Sequence, residues 1–144
     1  MYQTIVVPTD GSDISAKSAE HAIELAEQFD AEIHALYVLE STPAFTKVGL
    51  SGLADELDED RRNFATQALE TVTHLADAHG VAAVSEIVRG RPSEKIVEYA
   101  EDVNAELIVM AAHGGTRGSR VRWLLGSTTD RVARNGSVPV LIFR

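Results

Sequence analysis

Apolar residues arrive in two rhythms along this chain, and the alternation of those rhythms outlines its elements. Thr4-Ile5-Val6-Val7-Pro8 and Glu32 to Leu39 are short and apolar at nearly every position, the pattern of strands buried on both faces. Between them, from Ile14 to Phe29, Ala19, Ala22, Ile23 and Ala26 recur at the spacing of one helix face. Thr9-Asp10-Gly11-Ser12 separates the first strand from that helix as a turn, with Ser12 or Asp13 placed to cap it. Ser41 to Gly52 has two glycines, a proline and no period, and reads as a loop. A long helix is predicted from about Leu53 to His79, with Leu57, Phe64, Ala68, Val72 and Leu75 on one stripe and Gly80 as its C-terminal stop.

The alternation continues to the end of the chain. Val81 to Arg89 alternates enough to be a strand near a sheet edge. Gly90-Arg91-Pro92-Ser93 reads as a turn into a short helix striped by Ile96, Ala100 and Val103. Leu107-Ile108-Val109-Met110 is a fourth buried strand, followed by a glycine-rich loop. A helix from Ser127 to about Arg134, stopped by Asn135-Gly136, leads to a fifth strand, Val138 to Phe143. Strand and helix alternate without repeat or linker, so residues 1–144 are expected to form one domain: a doubly wound α/β fold, its five-stranded parallel sheet covered by helices on both faces. Ligands in such sheets sit at the carboxyl ends of strands, where the strand order reverses. If strands one and four flank that reversal, Thr9-Asp10 and the loop at Gly114 share one crevice.

Charge narrows the partners. The net charge of −9 speaks against general nucleic-acid binding, which needs a cationic surface. No apolar run approaches the roughly 20 residues of a membrane span, and Met1-Tyr2-Gln3-Thr4-Ile5 lacks a basic leader, so the expectation is a cytoplasmic protein without a membrane partner. Only three residues are lysine (Lys17, Lys47, Lys95), and this acidic surface suits a salt-loving source as well as an ordinary acidic protein. Without cysteine, disulfides and thiolate chemistry are excluded.

Candidate chemistry gathers after the fourth strand. A loop of bare amides between a strand and the helix opened by Gly126-Ser127-Thr128 is a place for anions, because its donors and the helix dipole point the same way. From His113 to Arg134 there are five arginines against one acid, Asp130, inside an acidic protein. Arginine suits phosphate through its two-pronged donor geometry. Arg117 and Arg120 are the candidates for ligand; Arg131 and Arg134, late in a helix, suit pairing with surface acids such as those in Asp55 to Asp60. Asp10 fits either a ligand contact or a turn cap, and His113 either a phosphate-orienting group or a backbone-bonded turn residue. His21, His34, His74 and His79 show no metal-ligand spacing. Trp123 fits an apolar anchor for the loop or a dimer. Neither the Gly-x-x-x-x-Gly-Lys-Ser/Thr loop nor a Gly-x-Gly-x-x-Gly turn is present, and no serine is paired with a base and an acid, so efficient catalysis is not expected.

In their order and spacing, several fragments together resemble the universal stress protein family over essentially the whole chain. They are Ile5 to Ser12, Leu36-Tyr37-Val38, Gly90-Arg91-Pro92, Leu107 to Met110, His113-Gly114, Leu124 to Thr128 and Pro139 to Ile142. The resemblance implies a five-stranded parallel fold like that of adenine nucleotide alpha hydrolases, stress-response signalling, and ATP binding. It implies that Asp10 meets the ribose and adenine side, with Pro8, Thr9 and Val38 lining the base pocket. Met110, Ala111, His113 and Gly114 would follow the phosphate-proximal backbone, with Gly115 and Arg117 beyond, and Gly126, Ser127 and Thr128 would close on the phosphates. Mg²⁺ bridged to phosphates at Asp10 is compatible with this set, without a dedicated metal site.

Two departures stand against the nucleotide motif of that family, in which two glycines separated by two residues precede, nine residues later, Gly-Ser or Gly-Thr. Ala111 stands at the first glycine, and eleven residues, 115 to 125, separate Gly114 from Gly126. A dimeric interaction protein that no longer binds nucleotide is therefore a second reading, and a slow nucleotide hydrolase a third. In each, Val138 to Phe143 is an apolar strand at the sheet's end, which pairing with its own copy would cover, making a homodimer.

Overall fold

A computed structural model describes residues 2–40, 51–113 and 125–144, with residues 51–55 by backbone alone. The described residues form a parallel sheet of five strands in the order β3-β2-β1-β4-β5, with β1 Thr4–Pro8, β2 Glu32–Leu39, β3 Ala83–Arg89, β4 Leu107–Ala111 and β5 Val140–Phe143. Helices α1 Asp13–Phe29, α2 Ser51–Ala78, α3 Pro92–Asp102 and α4 Ser127–Asn135 connect them. The chain winds outward from β1 to β3, then returns to the other side of β1 for β4, so the order reverses between β1 and β4. This is the doubly wound sheet expected from the alternating rhythms.

Successive strand residues face opposite layers, which is why the central strands are apolar throughout. Ile5, Val7, Ile33 and Val109 pack with Ile23 of α1 and Val72 of α2, and Val6, Leu36, Ile108 and Met110 pack with Ile96 of α3 and Val132 of α4. Burying each of these larger side chains stabilises the fold by about 1.5–3 kcal/mol. The register aligns Val6 with His34 and Ile108 with Val140, leaving β3 and β5 as the edges.

Local chemistry sets the element ends. Ser12, extended at φ −76°, accepts the amide of Ser15 at 3.3 Å and caps α1. Pro92 opens α3, where its fixed φ fits and its missing N–H costs nothing. Residues 90–93 are thus partly helix rather than all turn. Likewise Ser51 and Gly52, expected at the end of a loop, already belong to α2; positions 41–50 of that expected loop lie outside the described residues. Helix α2 ends at Ala78, before Gly80 at φ +69°. The fifth strand starts at Val140 rather than Val138, and the third at Ala83 rather than Val81.

The stripe of α2 is rotated from the expected one. Its buried seam is Ala65, Ala68, Leu69, Val72 and Ala76, while Phe64 is 51% exposed. Small alanines let α2 lie close to the sheet, and the bulky Phe64 falls at the seam's margin. That margin borders the carboxyl end of the sheet.

Candidate functional site

At the β1/β4 reversal a cleft of about 560 Å³ opens along the carboxyl edge, within the range of small-ligand sites. Its floor is Pro8, Thr9 and Asp10 after β1 and Met110, Ala111 and His113 at the end of β4. One wall comes from the α3/α4 layer through Leu36, Val38, Pro92 and Ile96. The opposite wall is Tyr37 with Leu57, Asp60, Arg61 and Phe64 of α2. Thr128 and Thr129 close the end nearest α4.

The turn after β1 is held by its own hydroxyls. The Thr9 amide donates to the Leu36 carbonyl at 2.9 Å, which continues the ladder to the cleft floor. Thr9 Oγ1 and Ser15 Oγ are bonded at 3.0 Å in a buried pair, and Gly11 donates its amide to Thr9 Oγ1 at 3.2 Å. Asp10 Oδ1 accepts the Ser12 amide at 2.9 Å, so the carboxylate serves the turn while remaining exposed at the cleft. Of its two sequence roles, the turn contact is present.

Across the floor, β4 and α4 are bolted together. The hydroxyl of Thr129 donates to the Ala111 carbonyl at 2.8 Å in a buried bond, and the Gly126 amide donates to the Ala112 carbonyl at 2.7 Å. A side chain on Gly126 would meet the His113 backbone at 3.3 Å, so that close crossing suits glycine. Gly126 is the N-cap residue, its carbonyl accepting the Asp130 amide at 2.9 Å. The amides of Ser127, Thr128 and Thr129 therefore precede the first intrahelical bond, and no side chain among the described residues caps them. Nearby, the buried Nδ1 of His113 has no hydrogen-bond partner among the described residues. A helix N-terminus at one end and largely apolar walls, with Asp10, Asp60 and Arg61 among them, along the rest suit a ligand that is anionic at one end and carries an apolar group at the other.

The α2 wall is fixed from two directions. Arg61 donates to the Glu40 carbonyl at 2.7 Å. Arg89 grips both oxygens of Asp58 at 2.7 Å, and that hydrogen bond holds the Asp58 carboxyl below the usual carboxylate range. Burial, then the neighbouring Asp10 carboxylate, pushes the Tyr37 phenol up against the opposing influence of Arg61, so it stays neutral at ordinary pH.

Of the residues expected at the site, Pro8, Thr9, Asp10, Val38, Met110, Ala111, His113 and Thr128 all line this one cleft. Gly126 and Ser127 stand at the start of α4 but are not lining residues. Gly114, Gly115 and Arg117, with Arg120, Arg122 and Trp123, lie outside the described residues. Arg134 pairs with Asp130 of its own helix at 2.9 Å rather than with the acidic run of α2, whose Asp58 is taken by Arg89. Sequence reasoning missed Thr129 and the whole α2 wall. The signal for that wall was Phe64, the one aromatic among the described side chains of a helix whose core-facing residues are aliphatic.

No cluster of three or more His, Asp or Glu side chains able to hold a metal occurs among the described residues, and no helix among them is long and apolar enough to cross a membrane.

A parallel sheet with its cleft at the switch point, walled by both helical layers, makes this a doubly wound α/β protein of the kind that receives ligands at its carboxyl edge. The sequence model of the universal stress protein family matches residues 1–144, and the chain belongs to that family. It is 40% identical over 144 residues to a universal stress protein of Methanocaldococcus jannaschii, covering 100% of this chain and 83% of the relative. The structure of universal stress protein UspA from Lactobacillus plantarum superposes with a TM-score of 0.85 at 29% identity, covering 99% of this chain and 98% of that one. A universal stress protein solved in complex with cAMP superposes with a TM-score of 0.71 at 28% identity, covering 99% and 97%.

Proposed function

We propose that this protein binds an adenine nucleotide, with ATP as the ligand, in the cleft between β1 and β4, and acts as a binding module in stress signalling rather than as an enzyme. The observation that carries this reading is the polarity of the cleft: among the described residues, the amides that open α4 and the His113 Nδ1 have no side-chain partner at one end, and apolar side chains of both layers, Val38 and Ile96 facing Leu57 and Phe64, line much of the rest beside Asp10, Asp60 and Arg61. The phosphates would take the amides of Ser127 and Thr128, with Gly114, Gly115 and Arg117 completing that end. Asp10 would accept from ribose hydroxyls, and Pro8, Thr9 and Val38 would face the base. Met110 and Ala111 form the floor between, and a bound Mg²⁺ would be carried by the phosphates. The cAMP complex of a related structure supports an adenine nucleotide as the ligand class.

Efficient turnover of the nucleotide is not expected. Asp10 is assigned to the ribose side, away from the phosphates, and no acid orients the His113 ring through Nδ1 among the described residues. Among the described residues at the phosphate end, an activated water would lack a positioned base.

Isothermal titration tests the reading. ATP binds the unaltered chain, and Asp10→Ala weakens binding by about 10-fold, the usual cost of one hydrogen bond to a charged group. No heat with ATP or ADP at millimolar ligand, with Mg²⁺ present, overturns it and favours the interaction protein without nucleotide.

The free edge of β5 carries the second part of the proposal, a homodimer formed by pairing Val140–Phe143 with its copy. All four residues of that strand are half-buried, and among the described residues its one strand neighbour is β4. Light scattering at micromolar concentration is expected to give twice the 15.6 kDa of one chain. A monomer mass that Val140→Lys leaves unchanged counts against the pairing.

A further inference from the structure

Phe64 is an exposed aromatic that packing of the fold does not require. It lies off the buried seam of α2, yet it is not loose: its ring tip abuts Gly11, where an added methyl would come within 2.6 Å of Cε1 and 2.7 Å of Cζ. Its ring also forms a T-shaped pair with Tyr37, with centroids 6.3 Å apart and planes at 75°. Half of its surface stays open, and that surface borders the cleft. Val38 lines the same cleft from the opposite helical layer. A flat apolar group entering between the layers thus meets aliphatic surface on one side and an aromatic ring, braced at its tip by Gly11 and flanked by Tyr37, on the other.

We infer that Phe64 is the base-stacking residue of this site: the purine ring of the nucleotide lies between Val38 and Phe64, and α2 thereby selects ligands carrying a planar base. This deepens the nucleotide reading and rests on it. The adjacency of Gly11 and Asp10 places the ring beside the position proposed for the ribose, one bond from the base. Stacking of a base on an aromatic face is indifferent to base identity, so the inference concerns planarity rather than the choice among purines.

Three variants and one probe test it. Phe64→Ala weakens ATP binding by about 10-fold. Phe64→Tyr, which keeps the ring, binds within about 2-fold of the unaltered chain, and circular dichroism and urea unfolding confirm that both fold. In Phe64→Trp, ATP quenches the new indole emission beyond any change in the unaltered chain, with the midpoint found by calorimetry. Equal ATP affinity in Phe64→Ala and the unaltered chain overturns the inference while leaving the nucleotide reading standing. The same follows if Phe64→Tyr loses as much as Phe64→Ala, or if Phe64→Trp shows no quench at saturating ATP. An unaltered chain that binds no nucleotide overturns both.

Discussion

Truncation of Ile108 to alanine is expected to lower the unfolding free energy by about 3 kcal/mol, with the urea dependence unchanged and only the midpoint shifted. Ile108 has no exposed surface and is the second residue of β4, facing the layer formed by α3 and α4. That layer is made by two short helices, of 11 and 9 residues, with Val6, Leu36, Ile96 and Val132 in the same cluster as the missing volume. Rigid strands on either side prevent collapse, so the substitution leaves a cavity as well as losing buried area. Val140→Ala, one strand over in register and half-buried, is the internal comparison, with an expected loss below about 1.5 kcal/mol. A loss at Ile108 no greater than at Val140 means the layer closes over the gap, contrary to the packing described. The same variant reports on the site, because Met110 and the α4 seat lie immediately beyond Ile108.

The strands are legible in the sequence because burial on two faces leaves a strong mark. A run such as Leu107-Ile108-Val109-Met110 has no polar position, and only a central strand in a covered sheet tolerates that. Element ends are less legible. The pattern opens at Leu53 a helix that in fact starts at Ser51, since Gly52 reads as a breaker although one glycine costs only about 1 kcal/mol within a 28-residue helix. At the candidate site, the residues on strands and turns can be found from sequence because the carboxyl edge of a doubly wound sheet has a known address. The α2 wall cannot, because a residue like Phe64 matches a core stripe and a cleft wall equally well in one dimension. Only the rotation of the buried seam by its alanines separates the two. Ala111 illustrates the converse. At a position where the family motif has glycine, the structure shows ordinary strand geometry without positive φ, so alanine fits the backbone there. Its carbonyl is already held by Thr129, and its side chain, not its conformation, is what a ligand would meet.

Substitution of Gly11 by alanine is expected to weaken both the fold and the cleft, through two separable causes. The backbone at φ +82° is a left-handed conformation that costs a non-glycine residue about 1–2 kcal/mol. The added methyl also falls 2.6 Å from Phe64 Cε1, and since Phe64 is half-exposed the ring can swing outward rather than break the helix packing. Ala68, at 3.5 Å from the same point, is in ordinary contact and need not move. Displacing the ring removes the stacking wall, so ATP affinity should fall by about as much as in Phe64→Ala. A double-mutant cycle separates the causes. In a Phe64→Ala background, Gly11→Ala retains its full backbone cost in urea unfolding but weakens ATP binding no further, because the ring it displaces is already gone. If the two affinity losses instead add, Gly11 acts on the ligand through its own backbone next to Asp10, and Phe64 is a neighbour rather than the intermediary.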